Sequence, residues 1–125
     1  MIKAVSTVKA PTAIGPYSQA MIYGDVVYLS GQIPLNPETG EIIGIGITEQ
    51  TEQVMRNIAE VLREAGSDFS KVIKTTCFLQ DLTDFAMFNS IYEKYFIGKP
   101  ARSCIQVAAL PKGSLVEIEV IAGIF

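Results

Sequence analysis

The 125-residue sequence contains no histidine. Catalytic arrangements of the Ser-His-Asp and Cys-His kinds are therefore excluded, and the commonest metal ligand of proteins is missing. Only two cysteines occur, Cys77 and Cys104, and they do not have the CxxC spacing of zinc and redox sites. No Gly-rich phosphate loop of standard spacing is present. We therefore predict chemistry that uses carboxylates, arginine, tyrosine, hydroxyls and backbone groups, without a metal or a nucleotide cofactor.

Runs of basic residues and long apolar runs are also missing. The net charge is −3 and the isoelectric point is near 4.9, so a phosphate backbone would find no basic track and nucleic acid is not an expected partner. No apolar stretch approaches the roughly 20 residues that a membrane helix needs, so no membrane span is predicted. Residues 1–15 lack the continuous apolar segment of a secretory signal, which favours a cytoplasmic protein.

What is present is typical of one folded domain over residues 1–125, with 49% hydrophobic and 18% charged residues. In the first half, the Gly24-Asp25 pair predicts a hairpin of 17–23 with 26–32, and residues 3–5 begin the edge of the sheet. Thr48 is the predicted N-cap of a helix that Gly66 ends. The apolar stripe of this helix consists of Val54, Met55, Ile58, Leu62 and Ala65.

The second half continues with a strand over 72–80 and a helix capped by Thr83 or Asp84, which Gly98 and Pro100 end. The apolar face of this helix is predicted from Phe85, Phe88, Ile91 or Tyr92, and Tyr95 or Phe96. Strands over 102–108 and 115–124, joined by a turn at 110–113, complete the order β-β-β-α-β-α-β-β. Two helices can cover one face of such a sheet, and no element is left for the other. We expect a partner chain to cover it.

Arg102 opens a segment that otherwise has the character of a buried strand. Strand alternation places Arg102, Cys104 and Gln106 on one face, and it places Glu117 and Glu119 together in the last strand. If these two strands pair with each other, Arg102 and the glutamates share the helix-free face. This arrangement fits an ion pair at a subunit interface or a binding site for a carboxylate.

Four stretches resemble the RidA family, also called YjgF/YER057c/UK114, along nearly the whole chain. They are AIGPYSQA at 13–20, YLSGQIPLNPETGEI at 28–42, KTTCFLQDLTDFAMFN at 74–89, and KPARSCIQVAALPKG at 99–113 followed by VEIEVIA. The resemblance implies an α+β fold of the chorismate-mutase-like (bacillus) type, with a mixed sheet and two helices on one face. It also implies a homotrimer with a central barrel and sites between subunits.

Proteins of this family are enamine/imine deaminases, and the resemblance implies the same activity here without a cofactor. The substrates would be 2-aminoacrylate and 2-aminocrotonate, and the products 2-oxo acids and ammonia. Arg102 matches the arginine that binds the substrate carboxylate, and Glu117 matches the glutamate that handles the proton and the attacking water. The remaining matched site positions are Tyr17, Ser30, Gly31, Asn89 and Cys104, the last through its main-chain carbonyl.

Other interpretations stay open from the residues alone. Taken singly, Tyr17, Ser30 and Asn89 are typical core or capping residues, and both cysteines are typical small buried side chains. A chorismate mutase would need several cationic groups around its dicarboxylate, yet Arg102 is the only arginine outside the first helix. A regulatory or chaperone-like binding trimer without turnover, or a ribonuclease that inhibits translation, is the alternative class. The link over 95–103 is about one residue shorter than is usual in the family, which bears on substrate range.

Overall fold

In the computed structural model, which describes residues 1–125, six strands form one mixed sheet and two α-helices pack on it. The strand order across the sheet is β1-β2-β3-β6-β4-β5, and only β4 and β5 are parallel neighbours. The elements in chain order are β1 Ile2–Val5, β2 Ala20–Tyr23, β3 Val26–Gln32, α1 Ile47–Ala65, β4 Val72–Leu79, α2 Phe85–Tyr95, β5 Ala101–Gln106 and β6 Val116–Gly123. The predicted α+β class and the predicted order of elements are confirmed.

Helix α1 ends as the sequence predicts and begins slightly earlier. Gly66 adopts the left-handed conformation with φ 84°, and its N–H donates to the Arg63 carbonyl at 3.0 Å while the next N–H donates to Leu62 at 2.8 Å. Gly46, not Thr48, occupies the N-cap position, and no side chain caps the helix there. Four residues of the predicted stripe are fully buried and Ala65 partly so; the four are Val54, Met55, Ile58 and Leu62.

The start of α2 also differs in detail from the prediction. A short 3₁₀ turn over Leu82–Asp84 precedes the helix, and the Asp81 carboxylate accepts hydrogen bonds from the backbone and hydroxyl of Thr83 at 2.9 and 2.8 Å. Asp84 holds the N-cap position of α2 without a side-chain hydrogen bond. The predicted apolar face is buried at Phe88, Ile91, Tyr92 and Phe96, whereas Phe85 is 37% exposed because it lies in the first turn.

Both helices cover the same face of the sheet, as predicted. Alternate residues of β6 pack against them, and each of these is at most 1% exposed: Val116, Ile118, Val120 and Ala122. The intervening residues of β6, among them Glu117 and Glu119, point to the other face. Tyr28 on β3 is a register partner of Ile121 and is 47% exposed on that helix-free face.

The predicted pairing of the last two strands is wrong. β5 lies at the edge of the sheet and pairs only with β4, in parallel, while β6 lies between β3 and β4. The physical reason is the β4–α2–β5 crossover, since a helix between two strands returns the chain parallel to the first. Arg102 is opposite Thr75, a buried residue of the helix-covered face, and therefore shares that face. Arg102 and the glutamates of one chain thus lie on opposite faces of the sheet.

Neither α-helix combines the length and apolar character that crossing a membrane requires.

Candidate active site

A cavity of about 460 Å³ opens beside the C-terminal end of β3. Its walls come from the loop before β2, the last residues of β3 with the loop that follows, and the outward-facing glutamates of β6. Four of the predicted site residues line it together: Tyr17, Ser30, Gly31 and Glu117. Glu119 lies at the same cavity, so two carboxylates and no cationic side chain face it.

Gly31 allows the Glu117 side chain to lie directly on the backbone of β3. The pairing of β3 with β6 is irregular between Leu29 and Gln32, which brings the two strands' side chains close at this point. A Cβ atom on residue 31 would overlap the Glu117 carboxylate and would lie 2.8 Å from its Cδ. No residue other than glycine can therefore occupy position 31 without moving Glu117.

The Glu117 carboxyl group is half-buried and close to a second acid. Burial raises its pKa above the ordinary value, and the negative charge of Glu119 raises the pKa further. A carboxylate whose proton affinity is increased in this way is suited to exchanging a proton with water or substrate near neutral pH. Sequence alternation predicted the shared face of the two acids correctly.

Ser30 fixes the wall that carries Tyr17. Its hydroxyl donates to the Ser18 carbonyl at 2.6 Å, and its backbone N–H donates to the Gln19 carbonyl at 2.9 Å. The Ser30 proton is therefore used inside the protein, and towards the cavity the hydroxyl offers an acceptor. Tyr17 itself is 54% exposed at the rim.

Gln19 holds the preceding loop and was missed by sequence reasoning. Its side chain, in a residue 4% exposed, accepts from the Thr7 N–H at 2.7 Å and donates to the carbonyls of Thr7 at 3.0 Å and Pro11 at 2.8 Å. A glutamine before a strand carries no signal for this role, because the loop it binds is 8 to 12 residues away in sequence.

A second group of predicted residues surrounds Arg102 at the edge of the sheet. The Arg102 Nη1 donates to the Asn89 Oδ1 at 2.7 Å, and its Cζ lies 4.7 Å from the centre of the Tyr92 ring and 5.4 Å from that of Phe85. No carboxylate pairs with Arg102, since the one ion pair of the chain joins Arg63 and Glu60. The guanidinium therefore keeps free N–H donors and an uncompensated charge.

Cys104 follows on the same strand face, half-buried and opposite Cys77 in the parallel register. Burial raises the pKa of both thiols, and that of Cys77 to about 12, so both remain protonated at neutral pH. Neither sulfur is therefore suited to be a nucleophile, and the role of the Cys104 main-chain carbonyl stays a prediction. The chain also contains no cluster of three or more acidic or cysteine side chains able to hold a metal ion.

The predicted residues thus form two groups that one chain does not bring together. Tyr17, Ser30, Gly31 and Glu117 line the cavity, and Arg102, Asn89 and Cys104 lie at the β5 edge on the other face. We call them the Glu117 group and the Arg102 group.

Solved structures define the class of protein to which this fold belongs. The structure of Escherichia coli TdcF with bound serine superimposes with a TM-score of 0.91 at 42% identity, covering 97% of this chain and 98% of the other. RidA from an Antarctic Psychrobacter gives a TM-score of 0.93 at 44% identity, again over 97% and 98%. The chain has the same fold over essentially its full length.

The family model described as Endoribonuclease L-PSP matches residues 7–124, and the chain belongs to this family, which is the RidA/YjgF family. The 2-iminobutanoate/2-iminopropanoate deaminase of Mus musculus is 51% identical over 96% of this chain and 90% of its own length. A Lactococcus lactis protein named "Putative regulator AldR" is 58% identical over 97% of both chains.

Proposed function

We propose that this protein is a 2-iminobutanoate/2-iminopropanoate deaminase. It hydrolyses 2-aminocrotonate and 2-aminoacrylate, or their imine forms, to 2-oxobutyrate and pyruvate with release of ammonia. The observation that carries the proposal is the 51% identity to a deaminase of that name over nearly the whole of both chains. The two groups of residues supply the two functions that this reaction needs, a cation for a carboxylate and a carboxyl group that exchanges protons.

The Arg102 group and the Glu117 group together have the functional groups that this reaction needs. A proton from solvent adds to C3 of the enamine and gives an iminium ion, and water then adds at C2. The carbinolamine that results loses ammonia and returns its hydroxyl proton to solvent, which leaves the 2-oxo acid. Arg102 binds the substrate carboxylate through parallel N–H donors, and Asn89 holds the guanidinium in place. Glu117 takes a proton from the attacking water and returns it to the leaving nitrogen. Such general acid–base assistance is worth about 10²–10⁴-fold.

The other predicted residues surround the substrate. The Cys104 main-chain carbonyl accepts a hydrogen bond from the substrate nitrogen, and Tyr17 closes the rim of the cavity. The Ser30 hydroxyl offers an acceptor towards the cavity because its proton is donated to Ser18. Gly31 leaves room for Glu117. No cofactor takes part in any of these steps.

A complete site requires two chains. Within one chain the Arg102 group and the Glu117 group face away from each other, so a small substrate cannot contact both. We infer a homotrimer in which Arg102 of one subunit faces Glu117 of the next and the helix-free faces enclose a central barrel. The incomplete site of the single chain supports the association of subunits. That the number of subunits is three is implied only by the family resemblance.

The partner in the cell is a small 2-imino or 2-enamino acid and not a nucleic acid, because the net charge is −3 and no basic track is present. We place the protein in the cytoplasm, where its two free thiols remain reduced.

The relative named as a regulator favours a second candidate, a trimer that binds the same 2-oxo or 2-amino acids without converting them. One assay separates the two. Purified threonine dehydratase generates 2-aminocrotonate, and the appearance of 2-oxobutyrate is followed with and without this protein. We expect a rate well above the spontaneous one. A spontaneous rate in the presence of assembled protein that binds 2-oxobutyrate would favour the regulator.

A further inference from the structure

Arg102 is held by more than its hydrogen bond to Asn89. The guanidinium carbon lies 4.7 Å from the centre of the Tyr92 ring, well within the range of an attractive cation–π contact. Arginine presents five N–H donors at the edge of a planar group. One of these donates to Asn89, and the contact with the ring needs no further hydrogen-bond acceptor, so the other donors stay free for a carboxylate.

Tyr92 is itself fixed on two sides. It is 8% exposed, and its ring stacks on Phe96 with centroids 4.3 Å apart and an interplanar angle of 29°. The Tyr92 hydroxyl lies 2.7 Å from the Oγ1 of Thr75, a residue 1% exposed. Thr75 is the β4 residue directly opposite Arg102 in the parallel register. Strand β4 therefore holds the Tyr92 hydroxyl through Thr75. This contact in turn holds the Tyr92 ring beside the Arg102 guanidinium.

We propose that Tyr92, anchored by Thr75, is a positioning residue for deamination. Its ring keeps the Arg102 guanidinium in one orientation before substrate arrives, so that the carboxylate meets a preformed pair of donors. This inference rests on the proposed function, because it assigns Arg102 to the substrate carboxylate. It requires a tyrosine and not merely an apolar residue, since the hydroxyl pair is what ties the ring to β4.

The first variant is Tyr92→Leu, which keeps an apolar side chain and removes the ring. We expect KM for 2-aminocrotonate to rise about tenfold with a much smaller change in kcat, because a half-buried cation–π contact is worth about 1–2 kcal/mol and its loss leaves the guanidinium free to turn away from the carboxylate. Leu62→Ala is the control for lost packing alone, because Leu62 is fully buried on the other helix, α1. It should lower the melting temperature and leave KM unchanged. An unchanged KM in Tyr92→Leu, or an equal rise in Leu62→Ala, would overturn the proposal.

A second pair of variants preserves the test if Tyr92→Leu does not assemble. Tyr92→Phe keeps the ring and leaves the buried Thr75 hydroxyl with only the weak Cys77 sulfur partner at 3.8 Å, so the protein should be less stable and KM should rise about twofold. The double variant Tyr92→Phe with Thr75→Val also removes the Thr75 hydroxyl, so the melting temperature should be restored. KM should stay raised, because no hydrogen bond holds the ring of residue 92 to β4. If KM and stability recover together, Tyr92 is only structural.

A readout without catalysis separates this inference from the proposed function. In ¹⁵N-labelled protein, the Nε–H signal of Arg102, assigned by its loss in Arg102→Lys, should show an ordered side chain in the parent and a mobile one in Tyr92→Leu. An inactive parent with this difference would refute the deaminase activity, while the ordering of the Arg102 side chain by Tyr92 would stand. An active parent without the difference would refute the positioning role alone.

Discussion

The two halves of the candidate site are built in opposite ways. The Glu117 carboxyl group lies against bare backbone at Gly31, in a cavity that contains a second acid and no cation. The Arg102 guanidinium lies on an edge strand within 5.4 Å of two aromatic rings, hydrogen-bonded to Asn89 and without a carboxylate partner. Each half keeps a charge that its own chain does not neutralise. Charges left unpaired in this way are explained if the substrate and a second subunit complete them.

The largest effect should come from removing the titrating group of the Glu117 half. Glu117→Gln keeps the size and hydrogen-bonding capacity of the side chain, so folding and assembly should be retained. Deaminase activity should fall about 10²-fold or more, because proton transfer to and from water is lost. The rate of 2-oxobutyrate formation measures this, with light scattering to confirm the assembled mass. Near-normal turnover in assembled protein would shift the role away from Glu117.

Mixing two inactive proteins tests whether the halves meet between chains. Arg102→Lys keeps a charge and loses the paired donors, so it should be as inactive as Glu117→Gln. After the two are unfolded together and refolded in equal amounts, about a quarter of the interfaces of a random cyclic trimer should combine both intact halves. Activity should return to about that fraction of the parent. A mixture no more active than its components would show that the halves do not meet across subunits.

The fold was largely accessible from the sequence because its signals are local. The Gly24-Asp25 turn, the apolar stripe of α1 and the αL position of Gly66 each depend on neighbouring residues, and the structure contains all three. Strand alternation likewise gave the shared face of Glu117 and Glu119 correctly, because the period of two holds within any one strand.

The prediction that β5 pairs with β6 was wrong. Which strands pair depends on contacts between distant parts of the chain and not on neighbouring residues. Adjacency in sequence favoured β5 beside β6, whereas the helix between β4 and β5 makes those two strands parallel neighbours. With β5 beside β4 instead of β6, Arg102 lies on the helix-covered face of the sheet. The predicted site residues of one chain are therefore divided between the two faces. The same kind of long-range contact hid the roles of Gln19 and Tyr92, whose partners lie 8 to 17 residues away in the chain.

A methyl group at position 31 should displace the Glu117 side chain and leave its carboxyl group chemically unchanged. In Gly31→Ala the new Cβ would force the Glu117 carboxylate to move, and misplacement by about 1 Å can cost up to 10²-fold in rate. We expect activity to fall about tenfold or more in protein that folds and assembles like the parent. Gly46→Ala is the matched control, since its φ is −103° and no atom lies within 4 Å of the added Cβ. Equal activity in both variants would mean that Glu117 can move without consequence.

The smallest effect should be a shift in pH dependence caused by Glu119. Burial and the Glu119 charge both raise the pKa of Glu117, and a general base is active only when ionised, so kcat/KM should fall as the pH drops through this raised value. Glu119→Gln removes a like charge, which lowers the pKa of Glu117 and moves the acidic limb to lower pH. At mildly acidic pH the variant should therefore be more active than the parent. The shift should shrink at high salt, which screens the two charges, and it should be absent when Glu117 is already Gln. A limb that stays in place or moves to higher pH would show that Glu119 does not act on Glu117 through its charge.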